Sequence, residues 1–268
     1  MNKNGAGLAV LALFATLAHA EDYLSPTEER VRLSLGVVRV SNTTDLQLDS
    51  SAGVTGTLVN AEDQFGLDKT DYEAKIEAMV RVGERHRLRF DYFSLDRTGQ
   101  QTVTEPIVFR DVVLQPGDPL DSNLSIRTFG INYEYSFLHS DRYEVAATIG
   151  VNDTDISARA RVQTATRHVD QTEDQAGPAP TVGLDATYVV SKRFYFDARG
   201  QYLKVRVDDL DASLALYEVD GLYRLRPNIS FAIGYSSLRA HLFSAQAKQG
   251  GFFNFNSSGP EVFVRVAF

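Results

Sequence analysis

Between Tyr72 and Val82 the chain alternates without a break. Tyr72, Ala74, Ile76, Ala78, Val80 and Val82 fall on one side, and Glu73, Lys75, Glu77, Met79 and Arg81 on the other. A period of two belongs to a pleated strand, whose successive side chains leave opposite faces, and a helix cannot reproduce it. One face is wholly apolar or aromatic while the other carries four charges. Such a strand separates two media. The turn Gly83, Glu84, Arg85, His86 leads into a second segment of the same kind, with Leu88, Phe90 and Tyr92 opposed to Arg87, Arg89 and Asp91.

The same grammar recurs along the chain. Val31, Leu33, Leu35 and Val37 share a face early on. Phe129, Ile131, Tyr133, Tyr135 and Phe137 oppose Thr128, Gly130, Asn132, Glu134 and Ser136. After Leu138 to Arg142 comes a strand with Tyr143, Val145, Ala147, Ile149 and Val151 on one face, which continues toward Val162. Val182 to Val190, Phe194 to Tyr202, Ala215 to Tyr223 and Ile229 to Tyr235 repeat the pattern. Polar stretches at Thr43–Gly56, Ala61–Thr70, Asp96–Asn123, Gln163–Pro180 and Ala245–Ser258 read as long loops. The count is about ten strands of roughly nine to twelve residues, the length that a tilted strand needs to cross a bilayer. Short and long connections alternate.

The last segment, Pro260 to Phe268, places Val262, Val264, Val266 and Phe268 opposite Glu261, Phe263, Arg265 and Ala267. At the other end, Lys3 precedes an apolar run from Gly7 to Leu17 and an A-x-A site, Ala18-His19-Ala20. That order is a secretory signal peptide over residues 1–20, cleaved after Ala20, with the mature domain at 21–268. An alternating strand ending on Phe268, in a chain opened by a signal peptide, resembles bacterial outer-membrane β-barrel proteins. The resemblance implies an all-β fold: a closed antiparallel transmembrane barrel of about ten strands with up-and-down topology. It implies the outer membrane of a Gram-negative cell, with both termini periplasmic and the long loops extracellular. It also implies membrane lipid and lipopolysaccharide as surroundings, and barrel-insertion machinery that reads Phe268. Phe137, Tyr143, Tyr188 and Phe194, beside the short turns, are expected to form an aromatic girdle.

Composition removes several classes. The sequence has no cysteine, hence no thiol nucleophile and no thiolate metal site. A net charge of -8 speaks against a nucleic-acid partner, which calls for a basic stripe. No cofactor motif is present in the sequence.

The inward faces supply the candidate site. Glu73, Lys75, Glu77, Arg81, Arg87, Arg89, Asp91, Glu134, Glu144, Asp185, Asp197, Arg199, Glu218, Asp220, Arg224, Glu261 and Arg265 are expected to line the lumen. Charges in a narrow lumen either pair and fill it, or stay hydrated and make a conduit for small polar solutes. The first gives a non-enzymatic envelope protein with a structural or surface-interaction role, the second a porin-like passive channel.

Loop acids are a separate group. Asp153, Asp155, Asp208, Asp209 and Asp211 at strand ends, with Glu62 and Asp63 in the first loop, read as a solvated rim rather than a metal site, since no EF-hand spacing is present. With His241 they also supply the residue types of the ten-stranded omptin proteases, without matching an omptin motif; a surface hydrolase is the third reading. His139-Ser140 lacks the His-x-Ser spacing of barrel phospholipases, and His86 and His168 read as turn and loop residues. Arg127 and Lys204 fall on outward faces, which places them near the extracellular strand ends, where a charge costs little.

Overall fold

A computed structural model describes residues 24–164, 168–245 and 250–268; residues 1–23, with the signal-peptide reading, lie outside it. Ten antiparallel strands close into a barrel. They are β1 (Val31–Leu48), β2 (Thr70–Arg81), β3 (His86–Thr102), β4 (Pro119–His139), β5 (Tyr143–Gln163), β6 (His168–Val189), β7 (Phe194–Val207), β8 (Leu210–Arg226), β9 (Ile229–Ser244) and β10 (Gly251–Ala267). Each strand pairs with its neighbour in sequence, and β10 returns to β1 over the register Arg32–Ala267 to Leu48–Gly251. Closure removes the unpaired edge that hydrocarbon does not tolerate.

The strands are longer than the sequence reading allowed, up to 22 residues in β6. Much of the stretch expected as a loop at 163–180 is strand, as are parts of 43–56, 96–123 and 245–258. The alternation of short and long connections therefore fails. At the upper end, opposite the four tight turns, β5–β6 and β7–β8 are joined by short links, and only 49–69 and 103–118 are long.

The cause is an inversion of polarity partway up the wall. Along β5 the outward face passes from Ile149 and Val151 to Asp153 and Asp155, while the inward face passes from Asn152 and Thr154 to Ile156 and Ala158. On β8 the inward sequence changes from Asp220 and Glu218 to Leu216 and Leu214, and on β10 from Glu261 to Phe255 and Phe253. Below the change the barrel is apolar outside and charged inside; above it, the reverse. The lower surface carries Leu35, Val37, Phe129, Ile131, Ile149, Val182, Val219 and Ile233 exposed, with Phe137, Tyr143, Tyr188 and Tyr223 near the turns. That is the belt a bilayer requires. Arg127 lies above it, mostly exposed and 3.9 Å from Asp96.

The upper interior is packed like a soluble core. Leu95, Leu120, Leu124, Ile126, Val162 and Phe255 from the strands meet Val59, Phe65, Leu67, Ile107, Phe109 and Leu114 from the two long connections, which fold inward as a lid. Phe65 and Phe109 meet edge to face at 5.5 Å. Gly99 is required where the lid crosses β3, because a Cβ there would stand 2.6 Å from the carbonyl oxygens of Phe65 and Gly66.

Two seams interrupt the wall. Pairing of β2 with β3 covers Ile76–Arg81 and stops at Ile76–Tyr92. Above that level β2 pairs with β1, and β3 with β4. The β6–β7 pairing likewise stops at Val182–Tyr202.

Candidate functional site

The lower lumen holds the charges. Every one of the inward charges named above faces it, and their partners come from across the barrel as well as from adjacent strands. Arg87 on β3 contacts Glu144 on β5 at 2.9 Å, Asp185 on β6 at 2.9 Å and Glu134 on β4 at 2.8 Å. Arg89 adds Glu134, Asp185 and Asp91. Arg81 grips Glu144 with both terminal nitrogens, at 2.9 and 2.8 Å. Arg199 on β7 reaches Glu77 at 2.6 Å and Glu218 at 2.9 Å, and Arg265 pairs with Asp197. Lys75 sits 2.6 Å from Glu261, with Glu218 and Asp220 at 3.7 and 3.8 Å, and lies over the Phe263 ring. Charges withdrawn from water are tolerated only when paired in this way.

Glu73 is the exception. It is buried, it takes part in no ion pair among the described residues, and its Oε1 has no hydrogen-bond partner there.

Below the network the mouth is capped by the segment preceding β1. Glu29 is held by Arg32 and Arg224, at 2.8 Å each, and Arg224 also donates to the Leu24 carbonyl at 2.6 Å. Ser25 reaches the carbonyl of Asp141 in the β4–β5 turn at 2.8 Å. Phe268 closes the ring at the same end, its carbonyl accepting from the amides of Arg30 and Val31.

Several of these residues escaped the sequence reading. Glu29 and Arg32 precede or open the first strand and carried no motif. Glu62, read as a rim acid, is buried: one oxygen accepts from the Thr44 amide at 2.8 Å and the other from Arg97 at 2.6 Å. It sits in a single helical turn, Ala61–Gln64, capped by the Asn60 side chain accepting from the Asp63 amide. Arg97 also donates to the Asp68 carbonyl at 3.0 Å, pinning the lid to β3, and to Thr44 Oγ1 of β1 at 2.9 Å. An inward-facing arginine within a polar stretch was the available signal. Asp63 stays exposed and pairs with Lys69.

Of the rim acids only Asp211 comes near His241: it lies two residues from Ser213, the cross-strand partner of His241, on the same outward face, and is held by Arg206 at 2.5 Å. Asp153 and Asp155 point outward on β5, Asp208 and Asp209 form the β7–β8 turn, and His241 points outward on β9 opposite Ser213 and Asn254. His86 contacts the Tyr133 hydroxyl at 2.6 Å and His139 lies 3.2 Å from Glu144. Among the described residues no group of three or more metal-ligating side chains comes together.

Between network and lid lies a cavity of about 160 Å³, with carboxylates on its floor and aliphatic and aromatic walls. A second cavity of about 250 Å³, reaching Arg110, Glu173 and Gln175 at the upper rim, shares Ile156 and Phe253 with it.

No family model and no curated protein matches the chain in sequence. Solved structures do match in shape. The outer membrane protease OmpT from Escherichia coli superposes with a TM-score of 0.60 at 11% identity, covering 90% of this chain and 98% of that one. The transport unit of the autotransporter AIDA-I from Escherichia coli gives 0.45 at 8% identity, over 97% of each chain. Ail of Yersinia pestis gives 0.40 at 8% identity, over 88% of this chain and 99% of that one. With its ten-strand closure, apolar belt and likeness to OmpT, this chain has the fold of the small outer-membrane β-barrels.

Proposed function

We propose that this is a non-enzymatic outer-membrane protein, with its lumen sealed by ion pairs and its upper barrel serving a structural or surface-interaction role. The observation that carries the reading is Arg199, which spans the lumen to Glu77 while also holding Glu218. A guanidinium fixed between opposite walls obstructs a water column, and Glu29 and Arg224 cap the mouth below it. Asp153, Asp155, Asp208 and Asp209 do not gather around His241, and its one acidic neighbour, Asp211, is taken up by Arg206, which supports a non-catalytic surface. In this reading lipid and lipopolysaccharide meet the belt, Phe268 serves the insertion machinery, and the termini lie on the periplasmic side.

The test is planar-bilayer conductance of the refolded mature protein, with folding verified by its heat-dependent shift on a gel. Silence is expected. Discrete, reproducible steps would overturn the sealed lumen in favour of a passive channel, and Glu77→Gln or Arg89→Gln would then alter its ion selectivity. Peptide or lipid hydrolysis lost in His241→Ala would overturn the non-enzymatic reading.

A further inference from the structure

The network accounts for the lower lumen but leaves the cavity above it without an assignment. Its floor holds Glu73, Glu77, Asp91, Glu218 and Glu261 against Lys75 and Arg199. Glu73 and Glu261 both flank Val38, one on each neighbouring strand, so their backbones stand at one level about 10 Å apart and both side chains point to the cavity floor. Both are at least nine-tenths buried, and Glu73 Oε1 and Glu261 Oε2 have no hydrogen-bond partner among the described residues. A buried acceptor without a donor is costly, and a ligand that supplies donors removes that cost. The walls above are apolar: Val40, Ile126, Ile156, Leu216, Leu238 and Phe255.

The wall beside the cavity is unpaired. Ala74, Ile76 and Tyr92 line the cavity where the β2–β3 pairing ends at Ile76–Tyr92, so no ladder of backbone hydrogen bonds closes β2 to β3 above that level. That seam opens at the upper edge of the apolar belt, beside Tyr72, Val37 and Phe129.

We propose that the upper lumen is a binding chamber for a small apolar molecule bearing one ammonium group, admitted sideways between β2 and β3. The size is right for a substituted benzene ring, since an apolar cavity of about 150 Å³ accommodates benzene. An ammonium brings three donors and a positive charge to Glu73, whose neighbour Glu261 is already held by Lys75 at 2.6 Å. A carboxylate ligand would meet like charge, and an alcohol would satisfy one acceptor without neutralising it.

The experiment is calorimetric titration of the full mature protein, refolded in lipid nanodiscs, with 2-phenylethylamine, 2-phenylethanol and phenylacetate. The amine is expected to bind at least tenfold more tightly than the alcohol, with no binding of the acid. Glu73→Gln should abolish the amine's advantage, while Glu105→Gln on the exposed loop should leave it. Equal affinities, or an unchanged amine preference in folded Glu73→Gln, would overturn the proposal. Should Glu73→Gln not fold, the ranking of the three ligands by the unaltered protein decides. Ala74→Cys/Ser94→Cys joined across the seam by a bifunctional thiol-reactive linker should slow association at least tenfold without changing the equilibrium; an unchanged rate in the linked protein would overturn sideways access. Conductance reports separately on the sealed floor: a barrel that conducts and still ranks the ligands would overturn the sealed-lumen reading and leave the chamber standing.

Discussion

Arg199 on β7 lies 2.6 Å from Glu77 on β2, a strand on the opposite side of the ring, and neither side chain is more than 11% exposed. The pair is a strut through the lumen rather than a surface bridge. Removing one partner strands the other, which in a buried site costs about 3–5 kcal/mol. Arg199→Ala should therefore lower the unfolding free energy of the refolded barrel, read from its urea titration, by that order, since Glu77 and Glu218 lose their shared cation. Arg199→Met combined with Glu77→Leu and Glu218→Leu should recover most of the loss. A triple variant as unstable as the single would mean that the strut contributes more than charge compensation.

The polarity inversion makes a second claim about where the bilayer ends. Ala147 lies at the centre of the outward apolar run Tyr143–Val151 of β5, whereas Asp155 lies above it on the same face. An arginine at mid-bilayer on a barrel's outer face costs about 2–4 kcal/mol, falling to about 0–1 near the interface. Ala147→Arg should show the larger penalty in folding into bilayers, and Asp155→Arg should be near neutral. Equal penalties at both positions would place the bilayer boundary elsewhere.

That inversion also explains what could be read from the sequence and what could not. Below it, every strand announced itself, because an apolar outer face against a charged inner face is a strong period-two signal. The facing of Glu77, Arg87 and Arg199 followed from period alone. Above it the same backbone continues, but with polar residues outside and small or aliphatic ones inside, so stretches such as Thr172 to Pro180 resemble loop in composition. Composition reports on solvent, not on backbone. The pairing Arg97–Glu62 and the cap residue Glu29 depend on how connections fold back, which no local period encodes. The seam between Ala74 and Ser94 was equally hidden, since both strands alternate through it.

The two long connections are clasped at their tips, where Asp111 Oδ1 accepts from the Ser51 amide at 2.7 Å and the Ser51 hydroxyl at 2.9 Å. The amide bond first, and the hydroxyl second, hold the Asp111 carboxyl below its ordinary value. A depressed carboxylate lends stability above its unfolded value, near 3.9, and loses it as pH falls through the lower folded value. The protection of the Ser51 amide, its exchange measured against the intrinsic rate at the same pH, should therefore be high at neutral pH and fall below about pH 4. In Asp111→Asn it should be low at both, with the pH-dependent fall gone. A clasp whose protection ignores pH in the unaltered protein would show that Asp111 does not hold it.

The cap beneath the lumen gives the last prediction. Arg224 holds Glu29 at 2.8 Å and the Leu24 carbonyl at 2.6 Å, so one side chain ties both ends of the segment 24–29 to β8. Arg224→Ala removes both ties at once and leaves Glu29 with Arg32 as its remaining ion-pair partner among the described residues. Since loss of one partner from a buried ion cluster is strongly destabilising, the segment should leave the mouth rather than keep an under-compensated carboxylate inside. Protease added at the turn-side end should then cut near Glu28 and Arg30 in the variant while sparing the unaltered protein. The barrel itself, held by its closed ladder of backbone hydrogen bonds, should keep its heat-dependent gel shift. Adding Glu29→Gln removes the charge that has lost its partner, so the double variant should regain part of the protection. If the segment stays protected in Arg224→Ala, its hold on the mouth resides instead in Arg32 and in the Ser25–Asp141 contact, and Arg224 serves the lumen alone.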